Sequence, residues 1–178
     1  RAFWTHYLPR LKALFPQQLD ALDVDAFYAA VNQVEPSLIR VEADEVTYNL
    51  HILLRFELER DLFEDRVAVG DLPAVWNERM EQYLGVRPPD DAQGVLQDIH
   101  WSMGGMGYFP TYALGNLYAA QFYHQAQKDL SDLAAQIERG ELGGLKQWLN
   151  EKVHARGSRV TAGELVEEVT GEKLSPDY

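Results

Sequence analysis

The chain has 178 residues, 46% of them hydrophobic, which suits a packed interior and excludes a disordered polymer. Its net charge of -12 argues against general nucleic-acid binding, which rewards clustered Lys and Arg, and the absence of cysteine excludes disulfides and thiolate metal sites. No apolar run is long enough to span a bilayer and no charged-then-apolar leader is visible, so the expectation is a cytoplasmic protein without a membrane partner.

In chain order the pattern is helical nearly throughout. Phe3, Trp4, Tyr7, Leu8, Leu11, Leu14 and Phe15 recur at helix spacing, with Pro9 expected to kink or divide the segment. Asp23 or Asp25 can cap a second helix through Phe27, Tyr28 and Val31, stopping before Pro36. At 37–42 the period changes: Leu38, Ile39 and Val41, partly β-branched, read as one short extended strand or ribbon. A long helix follows from Asp44 to Val67, with Val46, Leu50, Leu53, Leu54, Leu58 and Leu62 on its apolar stripe.

Asp71-Leu72-Pro73 opens a helix through Trp76, Met80 and Tyr83 that ends at Gly85, and residues 86–91 are loop. Gly104, Gly105 and Gly107 disfavour a regular helix and permit close backbone approach. Another long helix resumes near Thr111, a further one passes through Leu145, Trp148, Leu149 and Val153, and Thr161-Ala162-Gly163-Glu164 is a capping box for the last. The fold class is therefore mainly α, with at most one short strand near residues 37–42.

The search for chemistry starts with the histidines. His6, His51, His100, His124 and His154 include no pair four residues apart, so no H-E-x-x-H zinc helix is present. A Gly-x-Ser-x-Gly elbow is also absent. Polar groups concentrate instead around two segments. Arg40 has five donors suited to a carboxylate, or it pairs with Asp44 four residues on. His51 falls on roughly the same helical face as Asp44, either as a site residue or as a core histidine. Glu57 and Glu59, two apart, cannot share a helical face, so at most one points into a site and the other belongs to a solvated charge run. His100 lies between Asp98 and Trp101 and precedes Tyr108 and Tyr112, whose hydroxyls can reach one pocket; histidine and tyrosine can both donate to a developing oxyanion.

Two phrases carry a family resemblance: Ile39-Arg40-Val41-Glu42-Ala43-Asp44 resembles an I/V-R-x-x-A-D motif, and Gly94-Val95-Leu96-Gln97-Asp98-Ile99-His100-Trp101 a G-x-x-Q-D-x-H-W motif. Both are signatures of the thermostable, Taq-type zinc metallocarboxypeptidases. The stretches Arg1 to Pro9, Val31 to Ser37 and Gly107 to Asn116 resemble the same family, so the likeness covers essentially the whole chain. It implies a mostly helical, dimeric, cytoplasmic metallopeptidase that releases single residues from peptide C-termini. The family's zinc is held by H-E-x-x-H and a later H-E-S/G-Q motif, and the pKa of bound water is lowered to roughly 7.

Those zinc motifs are not among these residues. The resemblance therefore implies a single C-terminal part, residues 1–178, of a larger helical domain whose zinc-binding part lies elsewhere. No metal ligand is assigned here, no zinc is expected on this chain at the family site, and the chain alone is expected to be inactive. Its partners are the substrate peptide's C-terminus, the N-terminal part of the same protein and a second copy. His100, Tyr108 and Tyr112 are the candidates for oxyanion and substrate donors, Arg40 for the carboxylate anchor, and Asp44, Asp98 and His51 for groups that orient them. A metal-free binding or assembly module with the family fold is the competing reading. Faces around Trp4, Trp101 and Tyr108 are expected to be bare without a covering part, which favours association.

Overall fold

Nine α-helices and three short 3-10 segments make up the chain, and no strand forms, as a computed structural model covering residues 1–178 shows. The helices are α1 (Ala2–Leu14), α2 (Pro16–Leu19), α3 (Val24–Val31), α4 (Tyr48–Phe63), α5 (Leu72–Leu84), α6 (Pro110–Asp129), α7 (Leu133–Glu138), α8 (Gly143–Lys152) and α9 (Ala162–Thr170). They fall into two compact units: residues 1–31 with 115–178, and residues 32–114.

In the first unit, α1 runs unbroken through Pro9 and packs against α7 and α3. The proline does not divide it; Pro16 opens α2 after Phe15 leaves helical geometry. Trp4 meets the Phe27 ring edge-on at 4.9 Å, and Asp23 caps α3 by accepting from the Ala26 N–H at 2.8 Å. At the start of α7's exit turn, Gly140 takes a φ of +74°, and a side chain there would collide with the His6 ring. Ala126, Leu133 and Trp148 form the core, with Phe122, Leu145 and Leu149 packed around them. An apolar cavity of about 490 Å³ opens beside Tyr118, Phe122 and Trp148. The predicted capping box of α9 is complete: the Thr161 N–H donates to Glu164 Oε2 at 2.7 Å, and the Glu164 N–H donates to Thr161 Oγ1 at 3.3 Å.

The second unit is built on α4 against α5. Leu54, Leu58, Leu72, Trp76, Met80 and Leu84 are its core, with Leu50, Leu62 and Trp101 packed against it. Each fully buried leucine contributes about 1.5–3 kcal/mol of transfer free energy. α5 begins and ends as its signals predict, with Pro73 in the first turn and Gly85 in the left-handed conformation after it.

Two expectations are corrected here. α4 is shorter than Asp44 to Val67: Asp44 sits a turn ahead of it, and the N–H groups of Arg66 and Val67 both return to the Asp61 carbonyl, closing the other end. Residues 37–42 are not a strand. Ile39 is extended (φ -100°, ψ 119°), but Arg40–Glu42 form a 3-10 turn. The Arg40 N–H donates to Gln97 Oε1 at 2.9 Å, while Gln97 Nε2 donates to the Leu38 carbonyl at 3.0 Å. One side-chain amide thus takes the place of a neighbouring strand's peptide group, and the β-branched propensity of Ile39 and Val41 has no ladder to join.

Candidate functional site

The site of the second unit grows from the Arg40 turn, the polar face of α4 and the irregular segment 91–109. Asp44 sets the entry to α4. Its Oδ1 accepts from the N–H groups of Val46 and Thr47, both at 2.8 Å, and its Oδ2 from Thr47 Oγ1 at 2.8 Å and the Glu35 N–H at 3.0 Å. The Thr47 backbone bond is foremost in holding the Asp44 carboxyl down at about 2, despite some desolvation. Asp44 therefore does not pair with Arg40; it organises backbone.

Arg40 reaches across to Asp98. Arg40 Nη2 donates to Asp98 Oδ1 at 2.7 Å, Nε donates to the same oxygen at 3.1 Å, and Nη1 donates to the Tyr48 hydroxyl at 2.9 Å. From the other side Arg55 Nε donates to Asp98 Oδ2 at 2.7 Å, and Arg55 Nη2 donates to Gln97 Oε1 at 2.8 Å. Both arginines are buried. Burial pushes the Asp98 carboxyl up, but the hydrogen bonds of Arg40 and the charge of Arg55 outweigh it and hold the group below its ordinary range. Burial lowers Arg55 to about 10, with Asp98 restraining the fall. The guanidinium of Arg40 thus has an internal carboxylate partner, whereas the anchor role assigned to it from sequence needs that edge for a substrate.

His51 is fully buried beside this network, and neither ring nitrogen has a hydrogen-bond partner of good geometry. Desolvation, then the charges of Arg55 and Arg40, bring it down to about 4; Asp98 and a weak contact with the Ser37 backbone pull the other way. A neutral His51 is therefore a packed neighbour of two cations.

His100, Tyr108 and Tyr112 do come together. His100 Nε2 lies 3.0 Å from the Tyr112 hydroxyl, its ring is stacked on Tyr108 at 5.7 Å, and Nδ1 is 3.7 Å from Asp98 Oδ1. Tyr108 is half exposed, while Phe109 is buried under the His100 ring at a 4.5 Å centroid distance. The Arg40 guanidinium carbon stands 4.9 Å above the Tyr112 ring. The segment thus presents an imidazole and two phenols from a base fixed by buried charge.

Sequence reasoning passed over Arg55 and Gln97, and of Glu57 and Glu59, at most one of which was expected to point inward, the structure buries Glu59. Glu59 is almost fully buried, and its Oε1 accepts from Trp101 Nε1 at 2.7 Å and from the Gly107 N–H at 3.1 Å. The available signal was the spacing of His51, Arg55 and Glu59, four apart and hence on one helical face. No three His, Asp or Glu side chains converge anywhere in the chain to hold a metal ion, so these residues do not fit a metal centre.

The fold is all-helical, and its irregular segment carries His100 among aromatic rings. The chain superposes on the crystal structure of the M32 carboxypeptidase from Deinococcus radiodurans R1 with a TM-score of 0.94 and 45% identity, over 98% of this chain and 35% of that one. It is 51% identical over 173 residues to thermostable carboxypeptidase 1 of Thermus thermophilus, covering 97% of this chain and 34% of the relative. Against carboxypeptidase 1 of Bacillus subtilis the identity is 47% over 176 residues, 99% of this chain and 35% of the relative. The model of the carboxypeptidase Taq (M32) metallopeptidase family matches residues 1–178, and the chain belongs to that family. It spans about a third of the length of the relatives it matches.

Proposed function

We propose that this chain is the substrate-facing, C-terminal part of a zinc metallocarboxypeptidase that releases single residues from peptide C-termini. The observation that carries the reading is the convergence of His100, Tyr108 and Tyr112 beside Asp98, within a chain that matches the family throughout. Zinc, held by the remaining polypeptide, supplies a Lewis acid and activated water when bound. This chain's residues supply the rest of the pocket. The His100 imidazole and the Tyr112 hydroxyl form a preorganised pair aimed at substrate oxygen, and Tyr108 offers a second hydroxyl from an exposed ring. Arg40 acts by fixing Asp98 and Tyr112, and its service as a direct carboxylate anchor requires Asp98 to yield one edge of the guanidinium. Asp44 and Asp98 orient the two motifs, and His51 fills the space between them.

In this reading residues 1–178 complete one larger helical domain with the other two thirds of the protein, in a cytoplasmic homodimer. Of the three rings expected to be bare, Tyr108 is half exposed while Trp4 packs on Phe27 and Trp101 on the core; the exposure of Tyr108 with Val41, Val46, Leu96, Ile99 and Met103 supports a covering partner. The isolated chain then binds no zinc at the family site and turns over no peptide. An H-E-x-x-H motif in the remaining polypeptide separates this reading from a metal-free assembly module. The decisive experiment replaces His100 by Ala and Tyr112 by Phe in the full-length protein. Each is expected to lower kcat/KM on a peptide by about 100-fold with metal content and thermal midpoint unchanged; unaltered turnover removes the pair from the site.

A further inference from the structure

The segment that presents His100 and Tyr108 has no regular hydrogen-bonded structure of its own, so something outside it must fix its shape. Its glycines make that need acute: Gly104 and Gly107 take φ values of +81° and +77°, and such backbone is free in the unfolded chain. Internally it has a few turn bonds, such as the Gly105 N–H to the His100 carbonyl at 2.7 Å and the Gly104 N–H to the Trp101 carbonyl at 3.1 Å. These tighten residues 100–105 but leave the return to Tyr108 unsecured.

We infer that Glu59 is the positioning residue for this loop. The conclusion rests on the reading of His100, Tyr108 and Tyr112 as substrate-facing groups. Glu59 stands in α4, a helix anchored by Leu54 and Leu58 in the core, and its side chain is almost fully buried. A single oxygen, Oε1, accepts from Trp101 Nε1 and from the Gly107 N–H, six residues apart in the chain and adjacent respectively to His100 and Tyr108. The loop is thus pinned at both ends to one point on a rigid element. A buried donor left unpaired costs the full desolvation of that group. Trp101 is further held edge-on against Trp76 at 6.0 Å and against Phe109 at 6.0 Å, so the pin acts on a ring already confined on two sides. Remove the acceptor, and the stacking of His100 on Tyr108 loses the fixed separation of its two supports. Glu59 touches no substrate in this arrangement; it acts through Trp101 and Gly107.

The test uses the full-length protein and three variants. Glu59→Gln keeps a carbonyl oxygen for both donors and is expected to retain kcat within about threefold. Glu59→Leu removes the acceptor and is expected to lower kcat by at least about tenfold with a smaller change in KM, while amide hydrogen exchange over residues 100–108 speeds up by about tenfold or more. Trp101→Phe removes one donor alone and serves if the leucine variant does not fold; it is expected to raise the same exchange to a lesser extent. Unchanged exchange in that segment for Glu59→Leu, or for Trp101→Phe in its place, overturns the positioning role. Loss of kcat in Glu59→Gln equal to that in Glu59→Leu also overturns it, since the acceptor is then not what matters. Faster exchange with unchanged kcat upholds Glu59 as the clamp of the loop and overturns the catalytic reading of the loop itself.

Discussion

The entrance to α9 and the entrance to α4 solve the same problem over very different distances. At α9, Thr161 and Glu164 satisfy one another's backbone groups within a span of three residues. At α4, Asp44 does the local part, but the turn before it depends on Gln97 and Asp98, which lie 57 to 59 residues away from their partners at Leu38 and Arg40. The first device works wherever its four residues occur. The second exists only once the fold has formed, and then a lost partner exposes charge with no alternative neighbour. The contrast teaches that the two family motifs are halves of one structure, each incomplete alone.

Asp98→Ala breaks the comparison hardest. It leaves Arg40 and Arg55 buried without the carboxylate they share, and a loss of about 3–5 kcal/mol is expected, seen as a lowered thermal midpoint of the full-length protein. A change under about 1 kcal/mol shows that the network is not supporting the turn.

The next effect is one of pH and belongs to His51, which packs against the same arginines. Its folded pKa of about 4 lies below the unfolded value near 6.5, so the unfolded chain binds the extra proton between those limits. The contribution is therefore complete above pH 6.5 and is lost as pH falls toward 4, by at most about 1.4 kcal/mol per pH unit. His51→Leu is expected to flatten that part of the stability profile, and a profile identical to the parent's contradicts the assignment. At α9, Thr161→Ala is expected to cost about 1 kcal/mol at most, with faster amide exchange confined to that helix's first turn. A disturbance reaching beyond α9 sharpens the contrast by showing that its cap is less local than it looks.

What could be read from the sequence follows the same division. α5 begins and ends, and α9 begins, where their own residues say, because Pro73, Gly85, Thr161 and Glu164 act on their immediate neighbours. His100, Tyr108 and Tyr112 could be grouped because they are close in the chain and flank a glycine-rich turn. The strand expected at 37–42 failed for the opposite reason: an extended segment needs a partner, and the partner is a glutamine side chain from a distant loop. Arg55 was hidden by its chemistry, and the choice between Glu57 and Glu59 stayed open, since a charged residue on a helix is solvated unless a distant partner takes it in. Helical periodicity marks the leucine face of α4 and says nothing of Asp98 or Trp101, which make the opposite composition buriable.

The two faces of α4 also settle where the helix stops along its own axis. Leu50, Leu54, Leu58 and Leu62 repeat every four residues, so sliding the helix by roughly one turn would replace each leucine with another and leave that face nearly indifferent. His51, Arg55 and Glu59 follow the same interval with no such equivalence. The same slip would set a guanidinium where Trp101 and Gly107 need an acceptor, or a carboxylate where Asp98 needs a cation. The apolar face drives the helix into place, and the polar face makes only one alignment acceptable.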